Sequence, residues 1–599
     1  MKLKNIILSA ALLVAFSACD DLFEPTIENH KDAADLENMP SWAVGLLGHA
    51  YISNPLGENA NSWKFTDVAT DDAVSNDIGN SYLKIATGSW RADNNPMDNW
   101  QYLRASWQYL NQFLEISENV EWARDQVASD LFKKRFQGDA YGMRALYMYH
   151  LLMSCAGWSA DGQLLGIPIL TESENIDSDF NKPRNTFREC LDQLNQDVEK
   201  AIEMLPEEYG DVNGASNVPA KYTQMGADPS QYNRVFGDHA KNRMSARVAR
   251  AIRAQAALLA ASPAYSEGSG VTWEQAANSM AEVLANLGSK PIENIDPTGN
   301  KWYEDANGIK NLVAGYNRPE FLWRSNKNES ADLEKDQYPP SLFGKGRVNP
   351  SQNLVDAFPS LTGYPISDSR SGYDAQNPYA NRDPRLALYI IYNGSKAGTD
   401  KSVITTAFDG SNNDAMNKFD GASTRTGYYL RKFLDMNVNA NPSNTTNGYH
   451  IKPWIRYTEI FLGYAEAANE AWGGPQGTGS NSYSAYDVIK AIRKRAGIGE
   501  NGGDPYLESV KGDKDKMREL IRNERRLELC FEGFRFWDLR RWKVDISKLN
   551  ETVKGMKITG TNHEVVDVEK RDYKDYMYYG PVPYSEMLKF DALIQNKGW

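Results

Sequence analysis

The sequence predicts a mostly α-helical protein: a TPR-like helical-repeat scaffold of about four helix pairs, interrupted by large irregular loop insertions that carry the candidate ligand site. Three observations carry this expectation. Apolar residues recur at i, i+3 and i+4 over several long stretches. Small residues line one of these stretches, as closely packed helix pairs require. Two long segments, 53–99 and 296–453, lose that periodicity and fill with Asn, Gly, Asp, Pro and Tyr. No clean repeat of about 34 residues is visible, so the pairing reads as degenerate.

The elements follow in order. A helix is expected over 35–51, ahead of the first irregular segment. Periodicity returns at Trp100, with Leu103, Trp107, Leu110 and Leu114 in helical steps. Residues 132–153 place Phe136, Ala140, Met143, Tyr147 and Leu151 on one face, and 186–205 forms a further helix ended by Pro206. An Ala-rich helix over 244–262, stopped by Pro263, pairs with 273–287, and Ala254, Ala257 and Ala261 permit close approach. Strand-like sequence is brief, as at 386–392.

The C-terminal third holds the strongest amphipathic helix, 456–470, where Tyr457, Ile460, Phe461, Tyr464, Ala465 and Ala468 form one stripe. Residues 488–496, stopped by Gly497, are its partner. The stretch 520–542 interleaves Arg, Glu and aromatics. It reads as a partly buried ion-pair network that holds helices in register, in preference to a catalytic acid cluster. The expected organisation is one body over 35–599: an N-terminal helical part (35–290) with a ligand loop at 53–99, a loop-rich insertion (296–453) and a C-terminal helical part (454–599).

The first residues set location. Lys2 and Lys4 precede an apolar run over 6–16 and a small-residue exit, the pattern of a secretory signal over 1–18. A membrane span needs about 20 apolar residues, and this run is shorter. Phe16-Ser17-Ala18-Cys19 resembles the bacterial lipobox, in which Cys19 is acylated; Phe16 stands where Leu is preferred. Several acyl chains give stable anchoring, at about 0.8 kcal/mol per buried CH₂. Residues 19–34 then read as a lipidated tether, and Asp20-Asp21 resembles the surface-export signals of Bacteroidetes lipoproteins.

Net charge is −13, which repels polyanions globally, so nucleic acid is not an expected partner. The local stripe Arg243, Arg247, Arg250 and Arg253 reads as a Glu-paired solvated face. Beyond Cys19, the cysteines Cys155, Cys190 and Cys530 are odd in number and widely spaced, so they read as small buried hydrophobes; a single bridge between two of them stays open. The aromatic supply of 15 Trp, 32 Tyr and 20 Phe exceeds what helix packing alone suggests. Aromatic faces beside amides and carboxylates suit sugar rings.

No enzyme constellation holds. The six histidines, His30, His49, His150, His239, His450 and His563, form no H-E-x-x-H pair, and no G-x-S-x-G elbow or Walker loop occurs. Asp409-Gly410-Ser411-Asn412-Asn413-Asp414 has a calcium-loop flavour. Asp414 nevertheless stands where an EF-hand needs Gly, and Asp420 where it needs Glu. No metal, cofactor or catalytic residue is expected.

At several places the sequence resembles the SusD/RagB-like family of outer-membrane nutrient-binding lipoproteins. The carrying stretches are 456–470, 521–542 and the ending Gln595-Asn596-Lys597-Gly598-Trp599, where the family ends Gln-Asn-Pro-Gly-Trp. Further matches are 350–358, 381–386 and 135–157. The resemblance implies a helical fold with four TPR-like units, a glycan site built by loops, and a SusC-like TonB-dependent β-barrel as partner. It implies a lipoprotein anchored to the outer membrane at the cell surface of a Bacteroidetes-type bacterium, one that binds and does not catalyse. The alternative is a peptide-binding RagB-like uptake lipoprotein.

For the site, the resemblance points to Trp90, in the long N-terminal loop where family members place a sugar-stacking Trp, against a packing role for the same residue. Asp72, Asn76 and Arg91 are candidate hydrogen-bonding partners, although Asp71-Asp72 can equally cap or staple the loop. Trp63 and Tyr82 follow, and Trp302, Tyr303 and Tyr428 are the candidates from the second insertion. Trp537 and Trp542 lie in a helical setting that favours the core.

Overall fold

The computed structural model describes residues 39–57, 63–408, 412–500 and 502–599. The signal segment 1–18, the Cys19 anchor, the tether 19–34 and positions 409–411 of the calcium-like segment lie outside the described residues.

Helices dominate, and most begin on a side-chain cap. Helix α1, Pro40–Ile52, starts on a proline whose fixed φ suits the first turn. Helices α2, Trp100–Ile116, and α3, Gln126–Cys155, follow. Asp125 caps α3 by accepting from the Ala128 N–H, which starts this helix earlier than its apolar face alone suggests. Helix α4, Phe187–Met204, opens with a capping box between Thr186 and Glu189. Ser245 caps α5, Ala246–Ala261, and a Thr272–Gln275 capping box opens α6, Trp273–Leu284. The C-terminal set is α7, Tyr457–Ala471, α8, Ala485–Arg495, α9, Lys514–Glu528, and α10, Arg535–Arg541.

From α1 to α7 each helix packs mainly on its sequence neighbours, α8 and α9 both pack against α7, and α10 packs on the turn at Thr66–Ala69. Nearest-neighbour stacking of this kind is how repeat arrays bury a continuous core. Close approach depends on missing side chains. A Cβ on Gly138 of α3 would lie 2.7 Å from Leu205 Cγ, and one on Gly142 would lie 2.3 Å from Met244 Cγ.

Strands are short and paired in twos: β1 (Ala73–Ser75), β2 (Phe321–Arg324), β3 (Val348–Pro350), β4 (Pro453–Arg456), β5 (Val553–Thr559) and β6 (Asn562–Glu569). β1 pairs with β3, β2 with β4, and β5 with β6, all antiparallel. The hairpin β5–β6 was not expected from the sequence, although β5 alternates buried and exposed positions over most of its length. The strand expected at 386–392 is mostly helical. Arg385–Tyr389 forms one short helix and only Ile390–Ile391 pairs as strand, against Tyr429–Leu430.

Segment 53–99 departs most from an open loop. Its described part holds a 3₁₀ turn at Thr66–Ala69, strand β1 and a helical turn at Ser81–Lys84, and residues 66–76 are buried. Charge pairing pulls it inward. Arg535 donates twice to the Asp71 carboxylate at 2.9 Å, and Arg526 Nε donates to Asp72 at 2.6 Å. Both arginines come from the stretch read as an ion-pair network.

That network is present. Arg456 bridges Glu532 and Glu320, each at 2.8 Å. Arg385 pairs with Asp383, Glu524 and Glu528, and Arg541 with Glu466 and Asp538. Three arginines of the stripe are Glu-paired, Arg247 with Glu208, Arg250 with Glu207 and Glu282, Arg253 with Glu199 and Glu282, whereas Arg243 lies over the Tyr51 ring at 4.6 Å. Cys155, Cys190 and Cys530 are buried free thiols, with no bridge between any two.

Candidate functional site

One cavity gathers aromatic and polar side chains from many elements. It encloses ≈ 160 Å³. Its walls are the C-terminal half of α3 (Tyr149, His150, Met153), α5 (Gln255, Leu258, Leu259), the β4–α7 junction (Lys452, Trp454, Arg456, Glu459), the bend between α9 and α10 (Glu532, Phe534) with the first turn of α10 (Trp537), and the segments around Trp63 and Met97. The bend turns on Phe531, at φ 64°, and Gly533, at φ 87°, both in the left-handed region.

Three half-buried tryptophans border it: Trp63, Trp454 and Trp537. Trp63 stacks on Phe433 with centroids 4.0 Å apart. Trp454 is held by its Nε1–H, which donates to the Gly57 carbonyl at 2.9 Å, and its ring meets Trp323 edge to face. Trp537 meets Phe536 edge to face.

The polar groups are unusual for their burial. Gln255 donates to Glu459 at 2.7 Å, and burial pushes the Glu459 carboxyl up to about 7. Lys452 donates to the Leu56 carbonyl at 2.7 Å, and burial together with the Lys64 charge brings its ammonium down to about 7. Burial, then the charges of Lys64 and Lys452, lowers His150 to about 3, so its imidazole is neutral at physiological pH. The His150 Nε2 has no hydrogen-bond partner among the described residues. An aromatic rim with convergent polar groups is the form of a small-molecule or glycan site.

Of the nine ligand residues expected from the sequence, Trp63 lines this cavity and the others do not. Trp90 is a correction. Its indole is 2% exposed, packed against Phe536, Tyr573 and Trp599, with the Arg540 guanidinium 5.1 Å from the ring centroid and Nε1 donating to Asn95. No ring face is left for a sugar. Asp72 is held by Arg526, the stapling role left open above. The Asn76 amide donates to the Lys345 carbonyl at 2.8 Å and is buried, so it ties the two insertions together. Arg91 is exposed and paired with Asp93. Tyr82 is half-buried and packs against the core.

Trp302, Tyr303 and Tyr428 are also corrected, because all three are core. Trp302 meets Tyr303 and Phe321 edge to face, and the Tyr303 hydroxyl donates to the Leu388 carbonyl. Tyr428 is enclosed, with its hydroxyl donating to Gln352. Trp542 is core as expected, its Nε1–H on Glu466 at 2.7 Å, whereas Trp537 faces the cavity. Trp454, Lys452, His150, Gln255 and Glu459 line the cavity and were not among the residues expected from the sequence. Lys452-Pro453-Trp454 lies just ahead of the amphipathic helix α7, separated from it by Ile455 and Arg456, and an aromatic there beside a helix-breaking proline was the available signal.

Among the described residues no helix is long and apolar enough to cross a membrane, and no group of three His, Cys, Asp or Glu side chains is arranged to hold a metal.

Comparison with known proteins places this geometry. Residues 318–599 match the SusD family, and residues 41–225 match a family described as starch-binding and associating with the outer membrane. A SusD-like protein of Formosa agariphila is 29% identical over 142 residues, a match that spans 24% of this chain and 24% of the relative. The crystal structure of a SusD-like protein from Bacteroides fragilis superposes with a TM-score of 0.69 at 21% identity, covering 96% of this chain and 100% of the other. That of a SusD-like carbohydrate-binding protein from the same organism gives a TM-score of 0.67 at 21% identity, covering 93% and 99%. At these identities the superpositions speak for the fold. With family matches in both the N-terminal and C-terminal parts and the helical body shared almost end to end, the chain belongs to the SusD/RagB-like family.

Proposed function

We propose that this chain is a cell-surface lipoprotein that holds an oligosaccharide or polysaccharide in the Trp63–Trp454–Trp537 cavity. It then delivers the glycan to a SusC-like TonB-dependent transporter in the outer membrane, making and breaking no bond. The observation that carries the reading is the cavity itself: three half-buried indoles around amide, carboxyl and imidazole groups. Pyranose C–H faces stack on indoles while hydroxyls take the polar partners. The family match described as starch-binding supports the ligand class, and the lipobox-like Phe16-Ser17-Ala18-Cys19 supports the anchor.

Affinity electrophoresis of the soluble chain, begun after Cys19, through gels containing single polysaccharides tests the reading. Retardation by at least one polysaccharide is expected. Binding of oligopeptides in calorimetry, with no polysaccharide retained, would overturn it in favour of peptide capture.

A further inference from the structure

The charges around the cavity narrow the ligand class. Its carboxylates are already engaged. Glu532 accepts from Arg456 and Lys432, Asp538 from Arg525 and Arg541, and Glu459 from Gln255, with its proton retained to about pH 7. The two arginines that line the cavity are likewise spoken for, Arg456 by Glu320 and Glu532, Arg541 by Glu466 and Asp538. Three further basic side chains line the cavity: Lys64, Lys452 and His150. Lys64 is exposed and makes no ion pair among the described residues. The Lys452 ammonium lies 5.1 Å from the Trp63 ring centroid, and the charges of both lysines reach His150. His150 is 8% exposed and its Nε2 is unpartnered, an orphaned polar atom of the sort native interiors seldom leave without a ligand or water.

We infer that the cavity takes the acidic units of a glycan, with an anionic oxygen of the sugar received by Lys64, Lys452 and the His150 Nε2 while its ring lies against Trp63 and Trp454. The inference rests on the proposed glycan-binding reading of this same cavity. The shared chemistry is an anionic oxygen on a pyranose, from a uronate carboxylate or a sulfate ester. A neutral imidazole Nε2–H and the Lys64 ammonium donate to either, an anion beside Lys452 favours its charged form, and charge-assisted bonds of this type are the stronger class. The net charge of −13 opposes approach of a polyanion from afar, so the recognition is local.

The test presents the soluble chain with polysaccharides of three kinds: alginate, which carries carboxylates; carrageenan, which carries sulfates; and neutral laminarin and starch. Retention of alginate or carrageenan above the neutral pair is expected, and which of the two is held identifies the anionic group. Lys64→Gln, a change at an exposed side chain, should weaken that retention about tenfold and leave thermal stability unaltered. His150→Gln, which keeps a donor, should retain more binding than His150→Leu. Retention of neutral glycans alone, or acidic retention untouched by Lys64→Gln, overturns the inference and leaves the glycan reading standing. Retention of no polysaccharide overturns both.

Discussion

The indoles of Trp90 and Trp599 meet edge to face, with centroids 5.0 Å apart and planes at 72°. The last residue of the chain thus closes over a tryptophan from the first irregular segment. The Trp599 Nε1–H donates to the Tyr579 carbonyl, and the Asn596 amide donates to the carbonyls of Cys155 and Gly580. Lys597, which departs from the family ending, uses its backbone N–H to reach the Trp158 carbonyl at 2.8 Å, a bond that proline cannot donate.

Trp90→Ala should therefore act on stability. Emptying a fully enclosed indole site costs about 3–5 kcal/mol. Urea unfolding followed by tryptophan fluorescence and far-ultraviolet dichroism measures it, and an unchanged midpoint would sink the core assignment.

Trp454→Ala and Trp537→Ala should act on binding. Each removes a rim indole, and loss of one stacking face weakens a retained glycan by about 1 kcal/mol, roughly fivefold. Migration in the polysaccharide gels is the readout. Variants that bind like the parent would remove the rim from the site.

Asp67 gives a pH dependence with a definite sign. Its Oδ1 accepts the Phe531 N–H at 2.9 Å, its Oδ2 has no partner among the described residues, and burial, then the nearby Asp72 charge, pushes the carboxyl up to about 7. The unfolded carboxyl titrates near 3.9, so between about pH 4 and 7 the folded chain holds a proton that the unfolded chain has lost. This contribution is full below about pH 4 and declines as pH rises to about 7, by at most about 1.4 kcal/mol per unit. Asp67→Asn keeps the acceptor and removes the titration. It should stabilise the protein at pH 8 relative to pH 4, as compared by urea midpoints; equal shifts at both values would contradict the assignment.

Gly138→Ala tests the packing of α3. The added methyl would sit 2.7 Å from Leu205 Cγ and 2.8 Å from Met204 Cβ, at the end of α4. Overpacking of this kind costs about 1–3 kcal/mol. A thermal midpoint at or above that of the parent would show that α4 yields without strain.

The sequence by itself determined the helical body, because that information is local. Periodicity, caps such as Thr186 with Glu189, and breakers such as Pro206 and Pro263 act within a few residues of the elements they define. The arginine–carboxylate lattice was legible too, since so many alternating charges in an amphipathic stretch have to be paired when buried. Only the tertiary structure decided which aromatics are free. Trp90, Trp302 and Tyr428 look exposed in their polar neighbourhoods, yet Asp71 and Asp72 draw the first segment inward onto Arg526 and Arg535, Trp599 covers Trp90, Phe321 and Phe433 enclose Trp302, and Gln352 holds Tyr428. Trp454 and Trp537 look like helix-flanking core, yet the bend at Phe531 and Gly533 leaves the cavity between them. Burial is a sum over long-range contacts, and residue type and local spacing do not contain it.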